Sequence, residues 1–168
     1  MMKLRALEVK DIPYMLEWMK DKELAQFYRF DAEKSTPETA REFIERAKES
    51  KQDLHFAIVD EQDEYLGTAS LKNVDYVNKN AEYAIALRKK AIGQKIALAV
   101  GREIFRKAFE DLQLERVYSN VLSSNERCIR HCEKLGYVYE GEFKNHLLLH
   151  GKFESLKWFA ILKEQYYV

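Results

Sequence analysis

At 168 residues, with 46% hydrophobic and 33% charged side chains and only 6 Gly and 2 Pro, the chain has the balance of one globular domain spanning residues 1–168. That composition excludes disordered and fibrous classes. The 28 Lys and Arg offset the 28 Asp and Glu, so no net field draws the protein onto nucleic acid or an anionic membrane, and neither partner is expected.

The longest apolar runs, such as Ile96 to Val100, fall far short of the roughly 20 residues that span a bilayer. Met1 leads into Lys3 and Arg5 without a signal-peptide core, so the expected setting is the cytoplasm. Cys128 and Cys132 are too few for a disulfide scaffold and suit a reducing compartment. Their spacing of four puts both thiols on one helical face. A structural zinc site takes four ligands, and beyond His131 and Glu133 the remaining His residues are scattered, so no metal is expected.

Alternation at Leu4 and Ala6 predicts a short strand, after which Asp11 is expected to cap a helix opened by Ile12 and Pro13. Ile12, Met15, Leu16 and Met19 share its apolar face. Ser35 and Glu38 have capping-box spacing around Pro37, predicting a second helix with Phe43, Ile44 and Ala47 inward. Between the helices, Phe27-Tyr28-Arg29-Phe30 reads either as satellite packing or as a lid that contacts substrate.

Leu54 to Val59 and Tyr65 to Tyr76 predict an antiparallel hairpin, and Asn78 to Asn80 the next turn. Ala81 to Leu87 alternates, with Tyr83, Ile85 and Leu87 on one face and Glu82, Ala84 and Ala86 on the other. The second face joins a carboxylate to small residues and leaves space. Ile96, Val100, Ile104 and Ala108 recur every four residues and predict a helix to about Leu112. Val117 to Leu122 is a predicted strand and Asn125 to Leu135 a helix closed by Gly136, a residue suited to a left-handed C-cap. Tyr137 to Phe143, Leu147 to Leu149 and Phe153 to Leu162 complete the strands, with a turn at His150-Gly151. The order predicts an α+β fold: a mixed, mostly antiparallel sheet flanked by helices.

Arg88-Lys89-Lys90-Ala91-Ile92-Gly93 joins a strand to a helix, with Gln94 and Lys95 following. The first N–H groups of a helix have no partner within it and its dipole is positive there, which suits a pyrophosphate. Gly93 lets backbone approach a ligand closely, and Lys89, Lys90 and Lys95 add charge.

Asn125-Glu126-Arg127-Cys128-Ile129-Arg130-His131-Cys132-Glu133-Lys134-Leu135-Gly136-Tyr137 follows the next strand, and here the sequence resembles the GNAT acetyltransferases. Arg88, Ala91 and Gly93 fall on that family's acetyl-CoA loop pattern, and Asn125, Cys128, Cys132, Gly136 and Tyr137 on its later helix pattern. Asn80-Ala81-Glu82-Tyr83 and the tail from Asn145 to Tyr166 are similar to the RimJ/RimL-type branch, so nearly the whole chain is covered.

The resemblance implies a GNAT fold, acetyl-CoA as co-substrate, and direct attack of an amine on the thioester in a ternary complex. It implies cofactor contacts from Leu87 through Lys95, from Asn125 and from Arg130, with an oxyanion donor in the backbone near Leu87. Two departures stand out. Ala91 replaces the usual first loop Gly, putting a methyl near the diphosphate, and Cys132 replaces the tyrosine that usually protonates the departing thiolate.

Glu82 is the candidate base, since an amine of pKa about 10.4 must lose a proton. An exposed or substrate-orienting carboxylate is the plainer alternative. Cys132 is the candidate acid, or else a packing residue one turn from Cys128. The expected acceptor is a small-molecule primary amine, as in the branch's spermidine and amino-sugar acetyltransferases. Asp31, Glu33 and Glu82 would suit a polyamine; Phe27, Tyr28 and Arg29 would suit an amino sugar. Acetylation of a protein N-terminus, and a non-catalytic acyl-CoA-binding module, are the rival readings. A homodimer is an expectation of the resemblance only.

Overall fold

The computed structural model describes residues 2–167. One seven-stranded sheet spans the chain from Lys3 to Leu162 in the order β1-β2-β3-β4-β5-β7-β6. Its strands are β1 (Lys3–Ala6), β2 (Leu54–Val59), β3 (Tyr65–Asp75), β4 (Asn80–Leu87), β5 (Arg116–Leu122), β6 (Val138–Leu149) and β7 (Lys152–Leu162). All neighbours run antiparallel except β4 and β5, in the middle. The helices are α1 (Ile12–Met19), α2 (Lys22–Ala25), α3 (Pro37–Glu49), α4 (Ile96–Arg106), α5 (Glu126–Lys134) and α6 (Lys163–Tyr166). No helix among the described residues is long and apolar enough to cross a membrane.

Strand alternation sends side chains to two cores, making three layers. On one side of the sheet, Ile58, Leu71, Tyr83 and Val117 pack with Val100, Ile104 and Phe105 of α4 and with Cys132 of α5. On the other, Ala57, Val59 and Tyr65 pack against Met15 and Trp18 of α1 and Ile44 of α3. The alternation read for β4 holds: Ile85 and Leu87 lie against the α4 side with Tyr83, and Ala86 lies against the α1 side.

Local chemistry moved several expected boundaries. Asp11 does not cap α1 with its side chain. The Arg5 guanidinium donates to both its carboxylate oxygens at 2.8 and 2.9 Å, and the Glu8 N–H donates at 2.9 Å, so the carboxylate is held back toward β1. The capping box of α3 sits one residue later than expected, on Thr36 and Thr39, because Pro37 takes the first helical position and needs no donor of its own. A short helix, α2, capped by Asp21, was not legible, being a single turn. Helix α4 runs on through a π-helical turn at Lys107–Asp111, so it ends near Leu112 as its apolar repeat predicts. The two segments expected at Tyr137 to Phe143 and Leu147 to Leu149 are one strand, β6, irregular where register shifts between Phe143 and Leu147.

Candidate active site

Strands β4 and β5 pair over three residues only, Asn80 with Arg116, Ala81 with Val117 and Glu82 with Tyr118. Past that point they separate into a V, because each is held by its other neighbour. Strand β3 stays paired with β4 to Leu87, and β7 stays paired with β5 to Leu122. Ser119 bridges the apex, donating from its hydroxyl to the Tyr83 carbonyl at 2.8 Å.

The phase of the ladder decides which backbone groups face the cleft. The Arg88 N–H donates to the Leu66 carbonyl, so alternate residues Ala86 and Ala84 turn their amides toward β3. Ile85 and Leu87 therefore turn theirs toward the V, where β5 no longer answers them, while the Tyr83 amide still belongs to the β4–β5 ladder opposite Tyr118. An extended ligand with amide groups of its own would complete those pairs as an added strand does.

Glu82 stands at the apex and is 9% exposed. Lys72 approaches one carboxylate oxygen at 3.1 Å, and the Asn73 side-chain amide donates to the other at 3.2 Å. Across from it, Tyr118 stacks on Trp158 at 5.5 Å, and Phe143 packs on the same indole at 5.3 Å. Asn120 and Trp158 are register partners on β5 and β7. The buried Asn120 Oδ1 and Trp158 Nε1 find no hydrogen-bond partner among the described residues.

Phe27, Tyr28 and Arg29 divide between the two roles considered for them. Tyr28 is anchored, donating to the Trp18 carbonyl at 3.0 Å and stacking on Phe30 at 4.9 Å, while Phe27 is half-buried. Burial raises the pKa of the Tyr28 phenol, which stays protonated. Arg29 instead crosses to the sheet and donates to the Asn120 carbonyl at 3.2 Å, on the free arm of the V. Partial burial lowers its pKa, opposed by the attraction of Glu82. A groove of about 990 Å³ opens beside it, lined by Tyr28, Arg29, Asp31 and Glu33 and by Leu149 and His150 at the β6–β7 tip.

The other end of the V meets the start of α4. Lys89–Ala91 forms a 3-10 turn, Gly93 adopts φ +88° and Lys95 φ 60°, which together turn the chain into the helix. A second groove, of about 620 Å³, runs past Lys90, Gln94, Lys95, Ile96 and Ala99. Lys89 pairs with Glu23 at 2.8 Å, Lys90 pairs with Glu64, and the Gln94 side chain donates to the Lys90 carbonyl. Ile92 packs toward the α1 side.

One expectation for this loop changes. Arg88 does not extend into the phosphate region. Its guanidinium is 8% exposed and clamped by Glu17 at 2.7 Å, Glu64 at 2.6 Å and the Tyr65 carbonyl at 2.9 Å, over the Tyr14 ring. Ala91 is 1% exposed, packs in the α4-side core with a φ that is not positive, and also lines the groove at the start of α4. Arg130 lies on the exposed face of α5, paired with Glu126 at 3.2 Å.

Asn125 caps α5, its Oδ1 accepting from the Cys128 N–H at 3.2 Å. Cys132 is buried, one helical turn from Cys128. The neighbouring Cys128 thiol and burial raise the pKa of Cys132, while Cys132, Arg127 and Arg29 lower that of Cys128. Cys132 packs in the α4-side core. Among the described residues no group of three or more His, Cys, Asp or Glu could hold a metal ion.

The profile of the acetyltransferase (GNAT) domain family matches residues 2–138. The chain belongs to the GNAT acetyltransferases. It is an acetyl-CoA-dependent N-acetyltransferase, with acetyl-CoA as co-substrate. This GNAT chain is 22% identical to the spermidine N(1)-acetyltransferase of Vibrio cholerae over 163 residues, covering 97% of this chain and 94% of that one. It is 32% identical over 100 residues to a Bacillus subtilis protein named putative ribosomal N-acetyltransferase YdaF, covering 60% of this chain and 55% of the other. A crystal structure of the Vibrio cholerae spermidine N-acetyltransferase in complex with CoA and spermine superposes with a TM-score of 0.91 at 20% identity, over 99% of this chain and 98% of that one. At that identity the superposition shows a shared GNAT fold.

Tyr118, Asn120 and Trp158 escaped the sequence reading. Tyr118 and Asn120 alternate on a strand as Glu82 and Ala84 do, but only the parallel register joins the two faces.

Proposed function

We propose that the protein transfers the acetyl group of acetyl-CoA directly to a primary amine of a small molecule, both substrates being bound together in the β4–β5 V. The observation that carries this reading is the three-residue limit on β4–β5 pairing, which leaves the Ile85 and Leu87 amides facing a gap. In this reading the pantetheine arm lies along those amides. The diphosphate lies at the start of α4, near Gly93, Gln94 and Lys95, with Lys89 and Lys90 adding charge and Asn125 holding the entrance of α5.

The thioester must lie close to Glu82 if that carboxylate is to take the amine's proton directly or through one water. Leu87 is five residues away, about 16 Å along the strand, too far to serve the same carbonyl. The oxyanion donor in this reading is therefore the backbone N–H of Ile85 rather than one near Leu87. The ion pair with Lys72 orients the Glu82 carboxylate.

The relatives that act on spermidine support a small amine as acceptor. The aromatic wall of Tyr118, Trp158 and Phe143 favours a second, narrower reading. The Trp158 N–H needs an acceptor atom, which a polyammonium chain lacks and a sugar hydroxyl supplies. Arg29 beside Glu82 also disfavours a polycation. An amino sugar therefore fits this wall better than a polyamine.

Calorimetry with acetyl-CoA, combined with CoA-thiol release over spermidine, spermine, amino sugars and short peptides, tests the assignment. Turnover of a small amine supports it. Preference for peptides would transfer the assignment to protein N-termini, and acetyl-CoA binding without turnover of any amine would overturn it. Within the small amines, faster turnover of spermidine than of any amino sugar would reject the narrower reading.

A further inference from the structure

Tyr83 is 4% exposed, on the α4 and α5 side of β4. Its ring meets Phe105 and His131, each at 6.2 Å between centroids, and its phenol lies within electrostatic reach of Cys128 and Cys132. Yet the buried hydroxyl has no hydrogen-bond partner among the described residues. An unsatisfied buried hydroxyl costs about 1–3 kcal/mol. A phenylalanine would fill the same space without that cost, so the hydroxyl calls for a partner that the free protein lacks.

Its position says what that partner is. Tyr83 directly follows Glu82, the last β4 residue paired with β5, so its backbone borders the apex where the thioester lies in the reading above. The Tyr137 hydroxyl nearby is engaged with Ser119 at 3.3 Å. His131 is neutral near pH 7, since burial and Lys134 bring its pKa down to about 4, and its buried Nε2 likewise has no hydrogen-bond partner among the described residues. Of the two tyrosine hydroxyls here, that of Tyr83 is unengaged.

We propose that Tyr83 donates the proton that the coenzyme A sulfur takes up as it leaves. The amine nitrogen bonds to the carbonyl carbon, the C–S bond breaks with its electron pair going to sulfur, and the phenol proton passes to that sulfur. The amine's surplus proton leaves through Glu82 or water, and solvent reprotonates the phenolate when product departs. The sum is amine plus acetyl-CoA giving amide plus CoA thiol. The O–H thus comes from β4, alongside the place on α5 where the chain carries Cys132.

This proposal rests on direct attack, and its test separates the two. Tyr83→Phe is assayed with acetyl-CoA and with the acetyl ester of the selenol analogue of CoA, whose selenolate leaves without needing a proton. With acetyl-CoA, kcat is expected to fall on the order of 10²-fold with KM and thermal midpoint held. With the selenoester the loss should nearly vanish, which a merely structural role would not produce. An unchanged kcat with acetyl-CoA, or equal losses with both donors, overturns the proposal. If the wild type turns over no amine, direct attack fails by itself, and binding then decides for Tyr83. Its loss should weaken CoA but not desulfo-CoA, and equal effects on the two overturn the assignment.

Discussion

Glu82 on β4 and Tyr118 on β5 are the last register partners of the one parallel pair among the described residues, and the candidate site is arranged around the point where that pairing stops. Below it the sheet is continuous. Above it the strands part, β4 turning the Ile85 and Leu87 amides into the gap and β5 carrying Asn120.

Glu82→Gln keeps the shape of that apex and the Asn73 contact while removing the charge that Lys72 balances. As the base, Glu82 contributes on the order of 10²-fold, so kcat should fall by about that factor while acetyl-CoA affinity stays the same. Steady-state kinetics at saturating amine, with calorimetry for the cofactor, measure both. An unchanged kcat would reassign the carboxylate to holding Lys72.

Arg88 and Lys95 make opposite predictions although both lie in the expected cofactor loop. Replacing Arg88 with Lys loses the fork that joins Glu17, Glu64 and the Tyr65 carbonyl, so stability should fall by about 2 kcal/mol in urea titration. Acetyl-CoA affinity of the folded fraction should barely change. Lys95→Glu, on an exposed residue, should leave stability nearly intact and weaken acetyl-CoA.

Gly101 sets how closely α4 and α5 approach. A Cβ there would meet the Leu135 methyls at 2.6 and 2.7 Å, so Gly101→Ala should cost about 1–3 kcal/mol by overpacking. Because the obstacle is the end of a side chain, adding Leu135→Ala should recover part of the loss. Denaturation of the single and double variants checks the coupling.

His131 predicts an acid limb in stability. Its pKa is about 4 in the folded chain, below the unfolded value near 6.5. Between those values the unfolded chain binds the proton and the native one does not, so its contribution is complete above about pH 6.5 and is lost as pH falls toward 4. After allowance for its partial exposure, the loss is on the order of 2 kcal/mol. His55, also lowered by burial, adds in the same direction. Urea titrations at pH 7.5 and 4.5 should show a smaller drop for His131→Leu than for the wild type.

Alternation and helical repeat depend on nearest neighbours, so the sequence by itself determined the strand at Ala81 to Leu87, the helix built on Val100 and Ile104, the cap at Asn125 and the mixed sheet. The loop and helix motifs likewise revealed the family, because their residues are close in the chain. Tertiary structure decided what depends on distant partners. Glu17 and Glu64 clamp Arg88, the core takes the methyl of Ala91, and Arg5 takes Asp11 from its helix. It also joined Tyr118 to Glu82 and left the Tyr83 hydroxyl unpaired, since register between parallel strands is set by packing across the whole sheet and leaves no local mark on either strand.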